Sequence, residues 1–198
     1  MKVPSQVINS ASELSMDFGS HERGQSSHMK DKVVKWIAPI GNTVKINTDA
    51  AFLASSGKAG LGFVIRNSEG LVMASGGKCL NIVQDVETAE ALAILFGISM
   101  AWECGFIAVE IESDAISIIQ QLQSPLLRLG PIRLIIEDIL SKVVCFSNFS
   151  FSHINRGSNL VAHAIAQWAL SLSDVIILME DVPQGVVSLV LEDVSSLA

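Results

Sequence analysis

The pattern of hydrophobic and polar positions begins near Trp36 and first takes the alternating form of a β-strand. In the segment KINTDAAF, residues 45–52, every second side chain lies on the same face of an extended chain. Asp49 falls in the middle of this predicted strand, on the face opposite Ile46. Aspartate is depleted in strands but not excluded from them, so the strand by itself favours an ordinary solvent-facing residue.

The rest of the chain alternates between strand and helix patterns. A hairpin with the turn Asn-Ser-Glu-Gly gives strands two and three, and a long apolar helix ends at Gly105. The short apolar segment AVEIES gives strand four, and two amphipathic helices, a strand and a last helix follow. The predicted strands span 45–52, 59–67, 70–78, 108–113 and 146–154, and the predicted helices span 86–105, 114–123, 130–144 and 158–170.

This order of elements predicts a mixed α/β fold in which helices cover a sheet. The helix between strands three and four is long enough to be a crossover to a parallel neighbour. If strand four pairs beside strand one, Asp49 and Asp114 become neighbours in space. The strand and helix patterns together predict one domain of this fold over residues 34–173.

Two segments outside this domain differ from it in composition. Residues 1–33 are polar and rich in serine without clear periodicity, which predicts a disordered or loosely attached leader. Residues 174–198 form a predicted acidic C-terminal extension, since the chain from Ser171 onward has 5 acidic residues and no basic one.

Charge and cysteine content narrow the class of protein. The net charge is −7, and between Val44 and Leu170 there are 8 Lys and Arg against 11 Asp and Glu, without a basic block. That distribution is unfavourable for a high-affinity nucleic-acid binder. The chain shows no signal-peptide pattern, no membrane-length apolar run and no CxxC pair, so we expect an intracellular protein of the nucleus or cytoplasm, neither secreted nor in a membrane.

Three acidic residues lie where packing alone does not require them: Asp49, Glu90 and Asp114. Each has an ordinary explanation. Asp49 could face water, Glu90 could interact with the helix dipole, and Asp114 could cap the helix that follows it. Taken singly, these explanations are the favoured ones.

Five motifs follow one another along the chain: KINTDAAF, GLGFVIRNSEGLVMASG, AEALAILFGISMAWECG, EIESDA and FSHINRGSNLVAHAIAQWAL. Taken together and in order, they resemble the plant type 1 ribonuclease H-like domain, known from reverse-transcriptase-like proteins of non-LTR retrotransposons. The resemblance runs from Trp36 almost to the C-terminus. It implies a ribonuclease H-like fold with a mixed five-stranded sheet, three antiparallel strands followed by parallel ones, and helices on both faces.

The resemblance also implies a function. In that family the residues matching Asp49, Glu90 and Asp114 are catalytic and bind divalent metal, and oxygen ligands favour Mg²⁺ or Mn²⁺. The implied activity is hydrolysis of the RNA strand of RNA–DNA hybrids, with the hybrid as partner and the protein as a monomer.

One departure concerns the last helix, where His163 stands in place of the family's fourth carboxylate. Neutral imidazole is a poor ligand for Mg²⁺ and a better one for Mn²⁺ or zinc. A second metal would then be weak, Mn²⁺-dependent or absent, or His163 is a helix residue without a catalytic role. The alternative function is a weakened or inactive ribonuclease H-like domain of retrotransposon origin that binds nucleic acid or protein.

The segment before the last helix holds three further candidates. His153 matches the family's mobile loop histidine, with the alternative that it only ends strand five. Arg156 is a candidate phosphate contact, and Asn159 a substrate contact or, like Ser158, a helix cap.

Overall fold

The computed structural model describes residues 35–124 and 130–195, and the predicted leader lies outside them. The described chain folds into one mixed sheet with helices packed on it. None of its helices is long and apolar enough to cross a membrane. The strands are β1 (Val44–Leu53), β2 (Lys58–Arg66), β3 (Val72–Leu80), β4 (Ala108–Ser113), β5 (Asn148–His153) and β6 (Ile176–Met179); the helices are α1 (Val86–Glu103), α2 (Ile116–Gln123), α3 (Arg133–Val143), α4 (Leu160–Ala169) and α5 (Val187–Val194).

The strands follow the order β5-β4-β1-β2-β3-β6. β1, β2, β3 and β6 pair antiparallel in succession, whereas β4 is parallel to β1 and β5 is parallel to β4. The predicted arrangement of antiparallel and parallel strands is confirmed, with β4 beside β1. The sheet has six strands instead of five because residues 176–179, inside the predicted acidic extension, pair with β3.

Turn chemistry explains where two of these elements end. In the β2–β3 turn the Asn67 side chain accepts hydrogen bonds from the N–H groups of Glu69 and Leu71, and Gly70 takes a φ of 77°. Gly105 follows α1 with a φ of 80°, a conformation that costs a glycine little. Both signals, the turn Asn-Ser-Glu-Gly and the glycine after the helix, are visible in the sequence.

The two faces of the sheet carry separate hydrophobic cores. The larger core joins the sheet to α1, α2 and α3, and the smaller one joins it to α4 and to the segment around α5. Ile46 and Thr48 face α1, because a side chain added at Gly97 of α1 would contact both. Since side chains alternate along a strand, Lys45, Asn47 and Asp49 face the α4 side.

Two glycines set the distance between α4 and the sheet. A Cβ atom added at Gly60 or Gly62 of β2 would collide with the backbone of Ala166 in α4. The absence of a side chain at these positions lets the helix approach β2 closely. This approach brings His163 of α4 to Asp49 on the neighbouring strand.

Candidate functional site

The site forms where β1 and β4 separate. Their parallel pairing ends at Asn47 and Glu112. Asp49 and Asp114 each lie two residues beyond that last pair, so both carboxylates stand at the opening between the strands. Glu90 approaches the same opening from α1, since its pKa responds to the charges of both aspartates.

Asp49 is buried, with only 4% of its surface exposed, so the expectation that it faces water is wrong. Its Oδ2 lies 2.7 Å from Nδ1 of His163. Burial, followed by the negative charge of Asp114, raises the pKa of Asp49 to about 6. The neighbouring imidazole and the backbone N–H of Ala50 act in the opposite direction. Asp49 therefore holds its charge at a cost that a cation would reduce.

Glu90 lies in the second turn of α1 and not in the first turn, which contains Glu87. The helix-dipole explanation therefore fits Glu87 better than Glu90. Burial raises the pKa of Glu90 to about 9, with further contributions from the charges of Asp49 and Asp114. Its Oε2 is buried and makes no hydrogen bond within the described residues.

Asp114 does not cap the helix that follows it. α2 begins at Ile116 with Ala115 in the N-cap position and without a side-chain cap. The Asp114 carboxylate instead accepts a hydrogen bond at Oδ1 from Nδ2 of Asn159, at 3.1 Å. The Asp114 carboxylate therefore lies at the opening between β1 and β4 and not at the N-terminus of α2.

Asn159 occupies the N-cap position of α4, but its side chain makes no capping hydrogen bond, so that alternative is wrong. The residue is 1% exposed, and its Nδ2 donates to the carbonyl of Thr48 at 2.9 Å as well as to Asp114. The predicted substrate contact remains a prediction. A side chain this deeply buried has little surface to offer a substrate. Ser158 is buried at 5%.

The loop before α4 sends two predicted residues to different places. Arg156 is exposed, and its positive charge lowers the pKa of Glu90, so it lies near the carboxylates. Glu90 and Asp114 line a pocket of about 690 Å³. His153 lines another pocket, of about 180 Å³, together with Trp36 and Glu112. Its predicted catalytic role remains a prediction.

A divalent metal suits the chemistry of this site, although the carboxylates are not gathered around one point. Among residues 35–124 and 130–195, no three His, Cys, Asp or Glu side chains are arranged to hold one ion. Asp49 contacts His163 and Asp114 contacts Asn159, and the three carboxylates would repel one another if all were ionised. The oxygen donors and the unpaired Oε2 of Glu90 fit Mg²⁺ or Mn²⁺, provided the carboxylates move together when an ion binds.

A buried polar network beside the site was not found from the sequence. The Asn47 side chain receives hydrogen bonds from Trp36 and Arg66 and donates one to Glu112, each at 2.9 Å. Lys45 forms an ion pair with Glu112 at 2.7 Å. The available signal was the alternation itself, which places Lys45, Asn47 and Asp49 on one face of β1. The network joins β1 to β4 immediately before they separate.

Comparison with known proteins places this geometry in a family. A family model described as reverse transcriptase-like matches residues 47–169. A protein of Arabidopsis thaliana named as a ribonuclease H protein is 29% identical over 172 residues, and the match covers 82% of this chain and 26% of that relative. The chain thus spans about a quarter of the length of this relative.

Solved structures show the same fold. Ribonuclease H1 from the halophilic archaeon Halobacterium salinarum is 27% identical with a TM-score of 0.55, covering 65% of this chain and 97% of that one. The N-terminal RNase H domain of a Mycobacterium tuberculosis protein is 18% identical with a TM-score of 0.59, covering 65% and 93%. The predicted fold class is confirmed. The chain belongs to the reverse transcriptase-like family and carries a ribonuclease H-like domain.

Proposed function

We propose that this domain is a metal-dependent endonuclease that hydrolyses the RNA strand of RNA–DNA hybrids. One observation carries the proposal: Asp49 and Asp114 both lie two residues beyond the last β1–β4 pair, and Glu90 lines a pocket together with Asp114. The name of the Halobacterium relative supports this choice. A compost-derived ribonuclease H1 of the same fold, 21% identical, has been solved in complex with an RNA/DNA hybrid.

The three carboxylates are the proposed ligands of Mg²⁺ or Mn²⁺. When bound, such an ion would lower the pKa of a coordinated water and offset negative charge on the phosphodiester. Without it, burial and the charges of the neighbouring carboxylates raise the pKa of both Asp49 and Glu90. A bound cation would offset the repulsion between these carboxylates, so their ionised forms would be more stable with metal than without it.

Other side chains of the domain have proposed supporting roles. Arg156 is exposed, and its positive charge lowers the pKa of Glu90, so its proposed role is to contact a phosphate of the substrate. His163 holds Oδ2 of Asp49 and thereby fixes the orientation of that carboxylate.

The same contact favours a second candidate, a catalytically weakened or inactive domain of retrotransposon origin that binds nucleic acid or protein. Nδ1 of His163 lies 2.7 Å from an oxygen of Asp49, at the position where the family has a fourth carboxylate. Imidazole binds Mg²⁺ less well than a carboxylate does. A site with three carboxylates would accordingly cut slowly or depend on Mn²⁺.

Cleavage of a labelled RNA–DNA hybrid in Mg²⁺ and in Mn²⁺ decides between the candidates. The enzyme should cut with at least one metal, and Asp49→Asn should reduce cleavage to background while Asp138→Asn, an exposed acid on α3, leaves it unchanged. His163→Asp should increase the rate in Mg²⁺ if the missing carboxylate limits the native site. An absence of cleavage by the native chain and by His163→Asp with both metals would exclude the nuclease.

A further inference from the structure

We propose that Asn159 is a positioning residue, which fixes the Asp114 carboxylate and the β1 backbone next to Asp49 at the point where the two strands separate. The inference rests on the proposed function for its consequence and on the metal-free geometry for its evidence. It replaces the role of helix cap that the sequence suggested for this residue.

The two hydrogens of one amide nitrogen serve the two strands of the site. Nδ2 of Asn159 lies 2.9 Å from the carbonyl oxygen of Thr48 and 3.1 Å from Oδ1 of Asp114. Thr48 directly precedes Asp49 and lies one residue beyond the last β1–β4 pair. The amide therefore bridges the strands where their own ladder has ended.

The chemistry of the contact requires a neutral side chain with two donors. Both partners of Nδ2 are acceptors, so they also determine which end of the amide faces the opening. An aspartate would place a third acceptor, with a negative charge, against them. A serine would supply one donor on a shorter side chain. Because Asn159 is 1% exposed, water does not readily replace the missing donors.

The backbone of Asn159 connects the same bridge to α4. Its carbonyl accepts a hydrogen bond from the N–H of His163 at 3.0 Å in the first turn of the helix. His163 in turn contacts Asp49. Asn159 thus links Asp114, the β1 backbone and the helix that orients Asp49. It engages Asp114 only at Oδ1, which leaves Oδ2 as the oxygen available to a ligand.

The test compares Asn159→Ala and Asn159→Asp with Asn155→Ala, an exposed asparagine four residues earlier, all in the full chain. Mn²⁺ binding is measured by titration, and the folded state is checked by thermal unfolding. We expect Asn159→Ala to bind Mn²⁺ about 10–100-fold more weakly, the usual effect of removing a residue that orients a ligand. Asn159→Asp should lose less affinity, because its added negative charge attracts the cation while its lost donors release Asp114. Asn155→Ala should bind as the native chain does. In an Asp114→Asn background, Asn159→Ala should add little further loss.

A metal-free measurement separates this inference from the proposed function. In EDTA, the ¹³Cγ signal of Asp114 should move in Asn159→Ala and stay in place in Asn155→Ala. If the native chain binds no Mn²⁺, the proposed function fails while this signal still tests the contact. If Asn159→Ala does not fold, the side-chain amide signals of Asn159 should shift in Asp114→Asn. The inference would be overturned if a folded Asn159→Ala bound Mn²⁺ with native affinity. It would also be overturned if the amide signals of Asn159 did not shift in Asp114→Asn.

Discussion

At the scale of single residues, ionisation of the carboxyl groups in the candidate site is energetically unfavourable. Asp49 is buried and Glu90 is half-buried with its Oε2 out of reach of water, and the charge of Asp114 raises the pKa of both. Glu90 has the larger shift of its pKa, and its Oε2 makes no hydrogen bond within the described residues. In the absence of metal, ionisation of Glu90 should therefore lower the free energy of unfolding.

Glu90→Gln should stabilise the metal-free protein at neutral and alkaline pH. The folded pKa of about 9 lies above the ordinary pKa of 4.5 for a glutamate in water. Between these values the unfolded chain loses its proton while the folded chain keeps it, so the free energy of unfolding falls as pH rises. Glutamine removes that loss. We expect a gain on the order of 1 kcal/mol or more at pH 8 in urea titrations with EDTA, and almost none at pH 4.

Glu87→Gln is the matched control for this prediction. Glu87 is exposed in the first turn of the same helix, where a negative charge interacts favourably with the helix dipole. Its replacement should change stability by less than about 0.5 kcal/mol at either pH. Equal pH dependence in the native chain and in Glu90→Gln would contradict a buried, repelled carboxyl at position 90.

At the scale of elements, the C-terminal helix is attached to the sheet by a buried charge. Arg66 of β2 is 1% exposed, and its guanidinium stacks 3.6 Å from the centre of the Trp36 ring. Asp193 of α5 supplies the counter-charge, with Oδ2 2.6 Å from Nη1 of Arg66. These contacts join segments on either side of the part matched by the family model, residues 47–169.

Asp193→Ala should destabilise the domain strongly. It leaves a guanidinium inside the protein without its ion-pair partner, and removal of one member of a buried pair typically costs about 3 kcal/mol or more. Glu192→Ala changes the exposed neighbouring acid and should cost less than about 0.5 kcal/mol. Urea unfolding of both variants gives the comparison. Similar midpoints would show that α5 contributes little through this contact.

The same elements show what the sequence could and could not predict. Alternation and turn residues were enough for β1 to β5, because their hydrophobic runs are flanked by clear breaks. β6 was missed, since its four residues lie in a segment that stands out mainly by its acidity. The partnership of Arg66 and Asp193 spans 127 positions and depends on where α5 docks, which no local pattern specifies.

The site follows the same division. The topology predicted that Asp49 and Asp114 would be neighbours, and in the structure one amide group, Nδ2 of Asn159, contacts both Asp114 and the carbonyl of Thr48, which precedes Asp49. The hydrogen bonds of His163 and Asn159 were not predicted. Both depend on the close approach of α4 to β2, which is set by the small volume of Gly60 and Gly62.

At the scale of the whole molecule, the charge distribution limits how the domain can hold a nucleic acid. Two cations of the described chain, Lys45 and Arg66, are buried in ion pairs, and exposed Arg133 lies 3.7 Å from Glu137. Affinity for a phosphate backbone grows with the number of phosphates that a protein neutralises. We therefore expect hybrid binding in the micromolar range or weaker at physiological salt.

Arg156 should account for a measurable share of this binding. If it contacts one phosphate next to the carboxylates, Arg156→Ala removes about one phosphate contact, so the slope of log affinity against log salt should become shallower by about 1. Measurements of hybrid binding in the Asp49→Asn background avoid cleavage of the RNA during titration. Arg133→Ala is the matched control, because that arginine is also exposed but lies on α3 beside Glu137. Equal slopes for the two variants would place the nucleic acid away from Arg156, and with it away from the carboxylates.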